Sequence, residues 1–206
     1  MFIVNLLFLS LASFSTYCVF THSYFYECSN MIGLFCCMDF VLHVTNINKM
    51  RPSMILHHLF AISISVFTYN HIDAMTLSYT NNECVSMTMI KNVMSVEIST
   101  IFLMNYYLMK HMTSKIYLIH NLLYIMSQLN QVAFVSTFAY YRLYNYFVNV
   151  VMSRQIYVFI SSVSKNDYYT YSGFIGLYGL FFLNCFWFYE IVQKIVLNTP
   201  KRKIAE

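Results

Sequence analysis

Met54-Ile55-Leu56-His57-His58-Leu59-Phe60-Ala61-Ile62 sets two adjacent histidines inside an apolar run that continues to about Tyr69. With its flanks the run approaches the roughly 20 residues that a bilayer-spanning helix requires. Ionisable groups at that depth are costly, and those retained usually face a bundle interior, a cavity or a pathway. Histidine is the cheapest of them because it can enter neutral. Neighbours on a helix point about 100° apart, so one imidazole of the pair is expected to face a central cavity while the other packs beside it.

The whole chain shares this character. Its 206 residues are 59% hydrophobic and 10% charged, with mean hydropathy +0.55, whereas an ordinary soluble domain carries about a quarter charged residues. The composition therefore predicts an all-α polytopic membrane protein. A net charge of +4, dispersed along the chain, offers no basic face for nucleic acid. The six cysteines show no CxxC pair and no zinc-type spacing. Cys28 and Cys84, both in segments read as lumenal, are taken as separate thiols rather than a disulfide.

Outward from the histidine pair, further spans are expected at about 1–20, 31–44, 86–109 and 172–197. No Lys or Arg precedes the first, so it reads as a retained span rather than a signal peptide, and a polar link (Thr21–Asn30) follows it. The second carries Asp39 and His43, four residues apart and so on one helix face. The fourth places Glu97 well inside a span, followed by Ser99 and Asn105. The stretch from Ile116 to about Ser164 is long enough for two spans, but Lys and Arg concentrate in the Lys49/Arg51, Lys110/Lys115 and Lys194–Lys203 segments, opposite the acidic Asp73/Glu83 loop. By the positive-inside rule the basic segments are cytosolic. That arrangement predicts six spans with both termini cytosolic, and one net crossing between Ile116 and Ser164. The remainder around Tyr144–Ile160 is then an extension, a re-entrant piece or an interfacial helix. Asn121, Gln128, Gln131 and Arg142 form a stripe at helical pitch that is expected to face other helices.

The order Asp39-Phe40, Leu56-His57-His58-Leu59, Glu97-Ile98-Ser99-Thr100 with Asn105, an aromatic-rich helix with Arg142, and Asn184-x2-Trp187-Phe188 resembles the TLC domain of ceramide synthases, translocation-associated membrane proteins and small TLC-domain-containing proteins. The resemblance spans about Met31 to Leu197, leaving 1–30 as a first span with its loop and 198–206 as a basic tail. Ceramide synthases carry His-Asp-x-Ser-Asp after the paired histidines. Here that stretch reads Val96-Glu97-Ile98-Ser99-Thr100, with Thr100 at the second acidic position, so the likeness is to the small group and points away from conventional ceramide synthesis. It implies a six-helix, barrel-like bundle of the endoplasmic reticulum or a related membrane, enclosing a cavity for a lipid chain.

Two functions follow as expectations. In the first the protein is an acyltransferase-like enzyme with long-chain acyl-CoA as co-substrate. His57 or His58 would act as base or nucleophile, Asp39 or Glu97 would orient the imidazole, and Ser99, Asn105 or Asn184 would donate to the oxyanion. Gln131, Arg142 and Trp187 would complete the cavity, with Arg142 either reaching a phosphate group of a lipid or CoA or snorkelling to the interface. In the second the same cluster binds membrane lipid without reaction. No bound cofactor is expected, and the HxxxH and HxxHH motifs of membrane di-iron enzymes are missing from the sequence.

Overall fold

In a computed structural model, residues 2–21, 24–44, 52–70, 85–111, 117–163 and 167–198 are described. Every regular element among them is helical, as the composition predicts. In chain order these are α1 (Phe2–Thr21), α2 (Phe25–Val44), α3 (Pro52–Asn70), α4 (Val85–Ser95), α5 (Ile98–His111), α6 (Tyr117–Thr137), two π-helical stretches (Phe138–Asn145 and Phe147–Val151), α7 (Arg154–Val163) and α8 (Asp167–Asn198). α2 starts at Phe25, so most of the expected polar link is helix. Glu27 in its first turn complements the positive end of the helix dipole. Tyr24, at φ 56°, makes the left-handed turn that precedes α2. The Asp73/Glu83 loop, the Lys49/Arg51 segment, Cys84 and the basic tail lie outside the described residues.

The span expected at 86–109 is broken. Asn92 Nδ2 donates to the Thr88 carbonyl, Ser95 Oγ to that of Asn92 and Ser99 Oγ to that of Val96. Such side chains compete for the carbonyls of the helical ladder. The backbone tightens there, Val96 N–H donating to Val93 and Glu97 N–H to Met94. Ser15 Oγ of α1 also donates to the Met94 carbonyl at 3.3 Å. Glu97 thus sits at the break between α4 and α5, where the chain turns.

Beyond Thr137 α6 continues as wider π turns to Val151. The buried side chains there fall every four residues, at Phe138, Arg142, Tyr146 and Val150. At α pitch that repeat would wind about 120° around the axis over twelve residues, but i→i+5 turns advance less per residue and hold all four inward. The expected polar stripe is split between surface and interior. Asn121, Gln128 and Gln131 are exposed, whereas Arg142 is buried. The region 116–164 is therefore one long helical rod followed by the short α7, which buries Ile156, Phe159 and Ile160 on one side.

α3 and α8 form the tightest seam. Gly173, Gly176 and Gly179 of α8 lie against Phe67, Ile64 and Phe60 of α3, in opposite order along the two helices. The order of contacts also makes α6 antiparallel to α8, through Phe138–Phe188, Arg142–Asn184 and Tyr146–Leu177. α5 is antiparallel to α6 by Phe102–Asn130 and Thr100–Arg142. The start of α3, the end of α5, the start of α6 and the end of α8 therefore share one end of the bundle. The sequence segments adjoining those four helix ends are the basic ones.

A second polar tie joins α4 to the π stretch. Asn145 Nδ2 donates to Asn92 Oδ1 at 3.0 Å and lies 3.3 Å from Ser95 Oγ, and Asn149 Nδ2 donates to Asn145 Oδ1. Asn145→Leu is expected to cost about 0.6–2 kcal/mol, the range of interhelical hydrogen bonds in membranes. A thermal melt of the purified protein would read this as a drop of a few degrees, and an unchanged midpoint would refute it.

Among the described residues one helix, Tyr168–Ile195, is long and apolar enough by length and composition to cross a membrane. Large apolar side chains also stand exposed along the outer faces of the bundle, among them Leu122, Ile125, Leu129 and Val132 of α6 and Phe182 and Phe186 of α8.

Candidate functional site

A cavity of about 450 Å³ runs between α1, α2, α3, α4, α5, α6 with its first π stretch, and α8. Its lining is mostly apolar, and its polar groups are few and grouped. Along α3 it extends from Ser53 to Ser65, roughly 18 Å at 1.5 Å per residue. Ser53, Tyr107, Glu190 and Lys194 line it at the shared helix ends, and His57, Trp187, Thr100, Arg142 and Glu97 further in.

The two histidines part as helix geometry requires. His57 lines the cavity, its ring 5.2 Å from that of Trp187 and tilted by 47°. His58 is buried, 5.5 Å from His57 between ring centres, and does not line the cavity. His57 Nδ1 is buried with no hydrogen-bond partner among the described residues. Glu97 shares the cavity but makes no hydrogen bond to that nitrogen. Asp39 and His43 lie on α2, and their side chains fall outside the described residues.

Arg142 organises the other polar groups. Its Nε donates to Ser99 Oγ at 2.7 Å, Nη2 to Thr100 Oγ1 at 2.7 Å and Nη1 to Asn184 Oδ1 at 3.3 Å. Its Cζ stands 5.1 Å from the centre of the Phe138 ring and 5.9 Å from that of Trp187, within cation–π range. The side chain is 6% exposed, and its hydrogen-bond partners among the described residues are all neutral. Asn184, wholly buried, accepts from Arg142 while its own Nδ2 has no hydrogen-bond partner among the described residues.

Of the side chains the sequence marks, His57, Glu97, Arg142 and Trp187 meet around one cavity, and Ser99 and Asn184 stand behind it as supports of Arg142. Two fall elsewhere: Gln131 is exposed on α6 and Asn105 is half-buried on α5, neither lining the cavity. Gln131 and Phe138 share a face of the helix at α pitch, but Phe138 packs against Phe188 of α8 whereas Gln131 is exposed. Asn105 lies five residues after Thr100, about 140° round the helix at α pitch. Thr100, read from sequence as a lost acidic position, proves to be a hydrogen-bond partner of the buried cation. The four-residue repeat Phe138, Arg142, Tyr146, Val150 was the available signal for the register that places Arg142 inward. Cys28 is a free buried thiol.

Comparison with protein-family models, with curated proteins and with solved structures finds no match to this chain.

Proposed function

We propose that this chain is a multi-pass membrane protein of lipid metabolism that holds a hydrocarbon chain in its central cavity, as the TLC-like motifs imply. The observation that carries the reading is the cavity itself. Its volume lies in the range of small-molecule sites, roughly 300–1,000 Å³, its walls are largely apolar, and its polar side chains collect around His57, Trp187 and Arg142. Exposed apolar outer faces support a lipid surround, since soluble proteins rarely expose contiguous patches beyond a few hundred Å². Six crossings, α1, α2, α3, α4–α5, α6 with its π extension, and α8, would place the basic segments and the cavity mouth on the cytosolic side. The endoplasmic reticulum is proposed from the resemblance alone.

Binding without reaction is the reading that needs the cavity alone. The acyltransferase reading retains one supporting observation, that His57 shares the cavity with Arg142 and Thr100. In that reading a ring nitrogen of His57 would attack the thioester carbonyl of acyl-CoA, the C–S bond would break to release the CoA thiol, and the acyl group would then pass to a hydroxyl or amine of a lipid acceptor, whose proton the freed imidazole takes up.

Native mass spectrometry of protein purified in mild detergent tests both. A retained acyl-chain lipid, unchanged on incubation, is expected from wild type, and an empty protein would sink the lipid-cavity reading. Incubation with labelled acyl-CoA separates the alternatives, since a label covalently attached to His57 would favour transfer. His57→Ala is expected to lower lipid retention several-fold with little change in melting. His58→Ala instead removes a packed side chain, costing roughly 2–4 kcal/mol by analogy with other large-to-small core changes, and lowers the melting midpoint. Equal behaviour of the two variants in both measurements would contradict this division of roles.

A further inference from the structure

We infer that Arg142 forms an oxyanion subsite inside the cavity, so that the amphiphile held there carries a carboxylate or phosphate head rather than a neutral alcohol or amide. The inference rests on the lipid-cavity reading and adds the chemistry of the head group. Burying a charge is expensive unless it is paired as well as hydrogen-bonded, and Arg142 is 6% exposed with only hydroxyl and amide oxygens as hydrogen-bond partners among the described residues. Those three bonds hold the guanidinium plane from three directions without neutralising it. A guanidinium carries five N–H donors, so the ones not engaged remain for a planar oxyanion, the geometry in which Arg excels. Asn184, which does not line the cavity, holds Nη1 from behind, so the free N–H groups of the fork are the donors left for a ligand. Phe138 and Trp187 flank the cation with their rings, leaving its edge as the approach.

Glu97 is the acidic side chain facing the same cavity near this point. It lies three residues before Thr100, nearly one turn deeper along the helical path, so the head group is placed on the Trp187 side of the guanidinium. His57 then stands within the same compartment, across the Trp187 ring. Nearer the bundle end, Glu190 and Lys194 line the cavity as a pair of opposite charges, four residues apart on α8, and leave that entrance without strong preference for either sign. Selection for the anion therefore falls to Arg142.

The test uses the full-length protein in lipid nanodiscs, with palmitate, hexadecanol and a single-chain lysophosphatidate as competing probes, read by native mass spectrometry. Wild type is expected to retain palmitate or lysophosphatidate at least ten-fold over hexadecanol, and whichever anion wins identifies the head group as carboxylate or phosphate. Arg142→Gln keeps hydrogen-bonding capacity without the charge, and is expected to retain hexadecanol as wild type does while losing the preference for the anion. Arg142→Lys, which keeps the charge without the fork, should retain part of it. Equal retention of acid and alcohol by wild type overturns the inference without any variant, and would identify Glu97 as sufficient counter-charge. A preference that survives Arg142→Gln overturns it too. Failure to retain any of the three probes refutes the lipid cavity itself, and so is distinguishable from failure of the anion subsite.

Discussion

Gly176→Val is expected to abolish the cooperative melting transition of the native bundle or lower its midpoint by many degrees. A methyl group at Gly176 would stand 2.7 Å from Ile64 Cγ1, 3.0 Å from the Phe60 carbonyl oxygen and 3.1 Å from the Ile64 backbone nitrogen. A side chain can turn aside, but the α3 backbone yields only if the two helices separate. Overpacking of this kind typically costs about 1–3 kcal/mol and occasionally more, and the involvement of backbone atoms argues for the upper end. Separation would also pull His57 from Trp187, since both lie on the same two helices nearer the cavity mouth. Tryptophan emission, which comes from Trp187 alone because the chain has one tryptophan, would report that movement alongside a thermal scan. Ile175→Val, at an exposed neighbouring position, serves as the control and should leave both signals unchanged. A Gly176→Val protein that melts with the control would refute the close-packed seam.

Tyr146→Ala is expected to cost about 3–5 kcal/mol, the range for removing a large aromatic from a packed core. Tyr146 is wholly buried between the two π stretches, its ring parallel to that of Phe181 at 6.5 Å. Its hydroxyl donates to the Leu177 carbonyl at 3.1 Å. Tyr146→Phe keeps the ring and loses the bond, so its cost should be near 1 kcal/mol, typical of a net intramolecular hydrogen bond. Thermal midpoints of the three proteins should therefore fall in the order wild type, Tyr146→Phe, Tyr146→Ala, with the larger step between the last two. Equal midpoints for both variants would mean that the ring packs nothing, contrary to its burial. Because Tyr146 lies one repeat beyond Arg142 on the inward row, the alanine variant should also weaken retention of lipid.

Much of the architecture was legible because it depends on composition and local pattern. Long apolar runs with few charges report helices, and the histidine pair had to split because consecutive side chains on a helix diverge by about 100°. The interruption at Val96–Glu97 was not read, although Asn92, Ser95 and Ser99 were the residues that cause it. Their effect depends on each side chain turning onto a carbonyl rather than outward, a choice that neighbouring helices help to make, as Ser15 does at Met94. The glycine row Gly173, Gly176, Gly179 was likewise in plain view, but small residues mark a seam only when something approaches them, here Phe60, Ile64 and Phe67.

The candidate site divides in the same way. That His57, Glu97, Arg142 and Trp187 are polar or amphipathic groups within apolar runs was evident, and so was their expected inward orientation. Their convergence belongs to tertiary structure. A constant α pitch puts Arg142 on one face with Gln131, and which part of that face is buried depends on where α5 and α8 cover it, at Arg142 through Thr100 and Asn184. Ser99 was read as a donor to reacting atoms and Thr100 as a lost acid, yet both act as acceptors for the guanidinium. No spacing within one segment could show this, since the partners are 43 and 42 residues from Arg142.

The sequence by itself determined that this chain is helical and apolar, and that one histidine of the pair turns inward. These follow from burial energy and helix pitch, which act residue by residue. Tertiary structure alone decided that the inward histidine is His57, that it meets Trp187, and that Arg142 ties Ser99, Thr100 and Asn184 together by hydrogen bonds. That outcome depends on where the glycine seam lets α8 approach α3 and where the π turns rotate Arg142. Both are set by contacts between segments far apart in the chain.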